Sequence, residues 1–344
     1  MFVIENVRLA GIACQVPDQN VDNLSIPGYN VERLSKVVDG TGVRFRSISP
    51  FGNENSSDLC CKAAESLIAD LAVDKKDIGL VVFVSQTSDY ILPATSCIIQ
   101  NRLGLDQSTL AFDVNLGCSG YTYGLFLVAS MLNNLTKPYA LLLAGDTSSR
   151  YASPLDQSTI FLFGDAGSAS LLERQMCTTQ MKFSFGTDGA GYDKLIISGG
   201  GHRSWFSDSS LERHKGNDGN IRSELDLYMD GYEIFNFAID KVTRQMKDFM
   251  DNIETYDGFV FHQANQLMIE SMRKISKIPK SKFLLSLYDY GNTSSASIPL
   301  TICHNYPDQS LTGKFFFNGF GVGLSWGFAT LNLNNTRILA IQRG

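Results

Sequence analysis

Three short, uninterrupted apolar runs constrain this chain more than any other feature: "IGLVVFVSQ" (78–86), "AFDVN" (111–115) and "YALLLAGD" (139–146). A strand with one face in water alternates polar and apolar side chains. These runs do not, so each predicts a strand covered on both faces. Between and before them lie two stretches with helical spacing. "SSDLCCKAAESLIADL" (56–71) opens on serines suited to an N-cap, and "CSGYTYGLFLVASMLNN" (118–134) is apolar on most faces, which predicts a helix inside the protein. Strand, helix, strand, helix in that order predicts an α/β fold with helices over a mainly parallel sheet. A chain of 344 residues, 44% of them hydrophobic, is long enough for a large core; length alone allows about two domains.

Two distant segments echo one another. "FLFGDAGSASLLE" (161–173) and "FFFNGFGVGLSWGFATLNL" (315–333) each run from an aromatic stretch through glycines into an apolar strand. They lie about half a chain apart, which predicts an internal duplication with a boundary near residue 175, hence halves 1–175 and 176–344. "SGGGHRSWFSDSSLERHKGNDGN" (198–220), rich in Gly, Ser and charge, reads as a long excursion, either a lid or a partner-facing loop.

Composition excludes several classes. No apolar run reaches the roughly 18 residues of a membrane span, and "MFVIENVRLAGIAC" lacks the basic-then-apolar pattern of a secretory leader. Seven scattered cysteines with no CxxC pair predict neither a disulfide framework nor a zinc site, and so a reduced, cytoplasmic protein. A net charge of −6 argues against nucleic acid. The local exception is "MRKISKIPKSK" (272–282), either a solvated face or a docking patch for an acidic partner.

"DVNLGCSGYTYGL" (113–125) places Cys118 between glycines and a serine at an expected strand-to-helix turn. Backbone N–H groups of a first helical turn would favour its thiolate, and the glycines would leave room beside the sulfur. A small core cysteine would fit the same pattern. Of the four histidines, His202 and His214 fall in the polar excursion and His304 in "TICHNYP". His262, in "YDGFVFHQANQ", ends an apolar strand, where open α/β sheets put their sites. Asn292 in "YDYGNTSSASIP" follows a glycine and precedes small hydroxyl residues, a pattern that ordinary turn chemistry also produces.

Taken together, "GCSGYTYGL", "FHQAN" and "GNTSSASIP" closely resemble the Cys-His-Asn motifs of β-ketoacyl-ACP synthase III, within the thiolase superfamily. "VRLAGIACQVPDQNVDN", "DGTGVRFRSIS", "LPATSCIIQNRLG", "STIFLFGDAGSASLLE", "LYMDGYEIFNFA" and "NGFGVGLSWG" are similar to that family's landmarks in order, from residue 3 to residue 330. The resemblance implies a thiolase-like, five-layered αβαβα fold of two duplicated halves, the first carrying the nucleophile and the second the His/Asn pair. It implies that Cys118 takes an acyl group from acyl-CoA or acyl-ACP, with the backbone N–H groups of Cys118 and Val322 as oxyanion donors. His262 and Asn292 would then stabilise the enolate left when malonyl-ACP loses CO₂. The glycine-rich turn lacks the second cysteine of thiolases, and Asn292 stands where elongating synthases carry a second histidine. No metal or other cofactor is expected.

The resemblance further implies a homodimer in which Leu92 completes the partner's acyl pocket, a tunnel past Arg150, Tyr232, Phe235, Asn265 and Leu267, and docking of acyl carrier protein at Arg273 and Lys274. The chain departs from the family pattern at the tunnel mouth, where Gly40 and Leu267 replace arginines and Tyr232 an asparagine. That leaves fewer cations for phosphate. The starter would then arrive on a carrier protein, or His202, Arg203, Trp205 and Lys215 would supply the contacts. An acyltransferase passing the acyl group to an amine or hydroxyl is the alternative on the same scaffold.

Overall fold

The structure, a computed structural model, describes residues 1–175 and 180–344; the expected boundary between 175 and 176 abuts the segment 176–179, which lies outside the described residues. In the first half, β1 (Val7–Val16) is followed by α1 (Ser56–Asp70), β2 (Ile78–Val84), α2 (Thr95–Arg102), β3 (Leu110–Val114), α3 (Gly120–Leu132), β4 (Tyr139–Asp146) and β5 (Ala166–Arg174). After β6 (Met181–Thr187) and the excursion come α4 (Gly231–Asn236), β7 (Gly258–Phe261), α5 (Gln266–Ile275), β8 (Phe283–Leu284), α6 (Ser297–Asn305), β9 (Gln309–Gly321) and β10 (Ser325–Ile338).

Strands lie in the order β3-β2-β4-β5-β1, and again in the order β8-β7-β9-β10-β6. In both sets the first three strands are mutually parallel and the last two pairings are antiparallel. The repeat is therefore one of topology. The sheets are mixed rather than mainly parallel, because β10 turns straight back on β9 through residues 322–324 and β5 runs back along β4. Residues 161–165, read as an aromatic strand, form none; only Phe163 makes an isolated bridge, to Asn292.

Both-face burial explains the apolar runs. On β2, Leu80, Val82 and Val84 point into a central core while Ile78, Val81 and Phe83 point into an outer one. On β9, Phe315 and Phe317 face the central core and Phe316 and Phe320 the opposite outer one. Helices α3 and α6 fill the central layer; α1 and α2 cover the first sheet outside, and α5 with the 231–249 helical stretch covers the second. The result is the expected α, β, α, β, α layering. The carboxyl ends of β2, β3, β4 and β7 lead into the segments that carry Gln86, Cys118, Asp146 and His262.

Candidate active site

Cys118 lies in the turn between β3 and α3, two residues before the helix, and is 7% exposed. The turn closes with the Gly120 N–H donating to the Gly117 carbonyl at 2.7 Å. The glycine-rich turn between β9 and β10 packs directly on the cysteine: a Cβ on Gly321, whose φ is +156°, would lie 2.6 Å from Cys118 Cβ and 3.0 Å from its sulfur. Ser325 Oγ donates to the Val322 carbonyl at 2.7 Å and lies 2.7 Å from Ser119 Oγ, locking the two turns together. The backbone N–H groups of Val322 and of Cys118 itself act on the sulfur, as does the Ser294 hydroxyl. Gly321→Ala therefore displaces the cysteine or the turn. We expect it to lower the rate of Cys118 acylation at least about a hundredfold, the effect of losing one oxyanion donor, read by intact-protein mass.

The helix end does not win at this sulfur. Burial, and after it the negative charge of Asp146, push the Cys118 thiol up to about 12, outweighing the Ser294, Val322 and Cys118 donors. The resting group is a neutral thiol, and its thiolate fraction grows about tenfold per pH unit up to that value. Alkylation of Cys118 by iodoacetamide should accordingly rise log-linearly from pH 7.5 to 10 with no plateau. A plateau near pH 8.5, the ordinary thiol value, would contradict it.

His262 follows β7 and is 1% exposed. Its N–H donates to the Asn318 carbonyl of β9 at 2.7 Å, its Nδ1 lies 2.8 Å from Ser297 Oγ, and its ring meets Phe320 edge-on at 5.6 Å. Burial lowers its pKa to about 3, opposed only by the Ser294 backbone, so the imidazole is neutral. Where Nδ1 accepts from the Ser297 hydroxyl, the proton resides on Nε2.

Asn292 is held by main chain on both sides, its N–H donating to the Leu162 carbonyl at 2.9 Å and its carbonyl accepting from the Gly164 N–H at 3.0 Å. Its Oδ1 accepts from the Ser294 N–H at 2.9 Å, which leaves the amide NH₂ as the outward donor. Ser294, at φ +50°, is in the left-handed region, where a side chain is rarely found. It is the residue through which Cys118, His262 and Asn292 are joined. Behind it, the fully buried Asp146 accepts from Ser85 Oγ, the Gln86 N–H, Thr87 Oγ1, and both the N–H and Oγ of Ser295. One carboxylate thus ties the end of β2 to the Asn292 segment.

A cavity of about 1520 Å³ opens onto Cys118, Val322 and Ser294. Its wall runs past Gln86, Arg150 and Phe163, and out along the excursion at Gly199–Gly201 and Arg213 to Leu225 beyond it. The expected tunnel residues are distributed differently. Arg150 lines the cavity, but its guanidinium donates to Ser49, Pro50, Glu54 and Asn55 and stacks on Phe51. Tyr232 and Leu267 are 72% and 63% exposed, Asn265 caps α5 by accepting from the Met268 N–H, and neither these three nor Phe235 lines the cavity. His202, Arg203, Trp205 and Lys215 are exposed and also lie off its wall. Leu92 is 79% exposed and does not itself line the cavity, although its neighbours Tyr90 and Ile91 do. Arg273, expected at the docking surface, pairs with Glu270 at 2.9 Å and donates to the Ile278 carbonyl at 2.7 Å, closing its own helix end. Lys274 is exposed.

Sequence reasoning missed Ser294, Ser297, Asp146 and Gln86. The hydroxyl run after Asn292 was a usable signal for the serines, and an aspartate ending the apolar run "YALLLAGD" one for Asp146. Gln86 gave none. Among the described residues no group of three or more His, Cys, Asp or Glu could hold a metal, no helix is long and apolar enough to cross a membrane, and the six cysteines are unpaired.

Comparison with known proteins places this geometry. Residues 112–189 match the family model for 3-oxoacyl-[acyl-carrier-protein (ACP)] synthase III, and residues 251–333 match its C-terminal model. The chain is 31% identical to a putative 3-oxoacyl-[acyl-carrier-protein] synthase 3 of Campylobacter jejuni, over 96% of this chain and 95% of that one. It is likewise 31% identical to the β-ketoacyl-[acyl-carrier-protein] synthase III of Clostridium perfringens, over 96% of this chain and 100% of the relative. The solved 3-oxoacyl-(acyl-carrier protein) synthase of Burkholderia xenovorans superposes with a TM-score of 0.93 at 35% identity, covering 100% of this chain and 98% of the other.

Proposed function

Because this chain belongs to the 3-oxoacyl-[acyl-carrier-protein] synthase III family, we propose that it loads an acyl starter on Cys118 and condenses it with malonyl-ACP. It is an acyl-transferring, condensing enzyme. The observation that supports the assignment of residues is Ser294, which lines the cavity with Cys118 and donates its N–H to Asn292 Oδ1, while the buried, neutral His262 follows β7.

In the first half-reaction the Cys118 sulfur attacks the thioester carbonyl, and the oxyanion accepts from the Val322 and Cys118 N–H groups. Each such donor contributes about 3 kcal/mol to the transition state. The carbonyl–sulfur bond to the carrier then breaks, and the carrier thiol leaves with the proton that Cys118 gives up. In the second, malonyl thioester loses CO₂ and the bonding pair becomes an enolate. Its oxygen accepts from His262 Nε2–H and the Asn292 amide, two neutral donors that share charge without quenching the carbanion. The enolate carbon attacks the acyl-cysteine, a carbon–carbon bond forms, and Cys118 leaves and is reprotonated. A neutral histidine suits this work, and burial keeps His262 neutral.

We further propose halves divided near residue 175, cytoplasmic action as a homodimer, and an acyl pocket closed by Leu92 of the partner subunit. The exposed Tyr90–Leu92 run at the cavity rim supports that closure. For carrier-protein docking the exposed Lys274 remains the candidate. The test is intact-protein mass after incubation with acyl-CoA and acyl-ACP donors. Acyl mass on the unaltered protein and none on Cys118→Ala supports the reading; no adduct from any donor overturns it.

A further inference from the structure

Resting on the condensing role above, we propose that the starter is a hydroxyacyl group and that Gln86 is the residue that selects it. The Gln86 backbone is fixed: its N–H donates to Asp146 Oδ1 at 2.7 Å, and its carbonyl receives the Tyr151 hydroxyl at 3.4 Å. Its side-chain amide has no hydrogen-bond partner among the described residues, yet it lines the cavity beside Cys118. The amide lies over Gly117, the residue preceding the nucleophile. A Cβ there would overlap Gln86 Oε1 and lie 3.1 Å from Ser294 Oγ. A neutral group with two donors and one acceptor therefore stands next to the first carbons of whatever acyl chain Cys118 carries.

An alkyl chain laid against this amide strips its water and returns nothing, whereas a hydroxyl on the chain replaces the lost bonds. The charges of the cavity indicate a neutral polar group rather than an anionic one. Its charged lining residues are Asp89, Asp226, Arg150 and Arg213, two of each sign. Arg150 is engaged by the 49–55 segment, and Arg213 sits 3.8 Å from Asp226. The lining therefore carries no net charge to draw in a carboxylate-tipped starter.

The test compares chains of equal length. Butyryl, 2-hydroxybutyryl and 3-hydroxybutyryl thioesters, each on CoA and on ACP, are offered to the full chain, and acyl-Cys118 formation is timed by intact-protein mass. The unaltered protein should load one of the hydroxyacyl groups at least about tenfold faster than butyryl, since a site that hydrogen-bonds a hydroxyl discriminates against the analogue lacking it. Gln86→Leu should abolish that preference, read as the ratio of hydroxyacyl to butyryl loading within the variant, and Gln86→Thr provides the same test with a smaller side chain. Butyryl loading at least as fast as both hydroxyacyl groups in the unaltered protein overturns the proposal, with no variant needed. So does a preference that survives both substitutions. Butyryl loading without hydroxyacyl preference leaves the condensing reading intact. No adduct from any thioester contradicts that reading and this proposal with it.

Discussion

His262→Ala should leave acylation of Cys118 within a few-fold of the unaltered protein and slow malonyl-dependent discharge of that acyl group about a thousandfold. The two half-reactions draw on different donors, so removing the imidazole touches only the second. An enolate oxygen that loses one of its two neutral donors loses about 3–4 kcal/mol of stabilisation. His262 is 1% exposed and held through Ser297, so a cavity effect has to be separated from the loss of a donor. His262→Gln keeps an N–H₂ near the same position and should recover part of the discharge rate, whereas a purely structural role would show no such recovery. Equal slowing of acylation and discharge in His262→Ala would assign the histidine to the first step instead.

Asp146→Ala should cost about 3–5 kcal/mol of folding stability, read as a lower denaturant midpoint, because it leaves a fully buried set of donors facing nothing. Those donors come from Ser85, Gln86, Thr87 and Ser295, so the loosened region would include the segment that presents Asn292 and Ser294. The milder Asp146→Asn isolates the charge. Asp146 is the second cause, after burial, of the raised Cys118 thiol, so neutralising it should move the alkylation profile of Cys118 to lower pH. A profile that stays in place would mean that burial alone sets the thiol.

Much of the fold was legible because strands covered on both faces leave continuous apolar runs: β2 and β4 are buried along their length, whereas β3 falls where its run predicts but, as the edge strand, is only half-buried. The duplication was legible for the wrong local reason. The segment 161–165 that echoed β9 is not a strand, and the repeat resides in strand order, which no short likeness records. Cys118, His262 and Asn292 each admitted an ordinary reading and stood out only as a set.

What the sequence concealed is set by distance along the chain. Helix-end electrostatics at Cys118 were readable, but burial by the turn at 321–323, about two hundred residues away, was not, and burial dominates. Arg150 and Arg273 looked like free cations for phosphate or an acidic partner. Their acceptors include main-chain carbonyls, Ser49, Pro50 and Glu54 for the first and Ile278 for the second, which composition does not reveal. Gln86 is one polar residue after a strand, and only Gly117 beneath it and the cavity beside it give it meaning.

The most direct test of the central claim is a single-turnover experiment on acyl-Cys118 protein mixed with ¹⁴C-carboxyl-labelled malonyl-ACP. One CO₂ should be released and one 3-ketoacyl-ACP formed per acyl group lost, with both yields collapsing together in His262→Ala. Acyl loss to water or to an amine, without matching CO₂, would contradict a condensing role for this site.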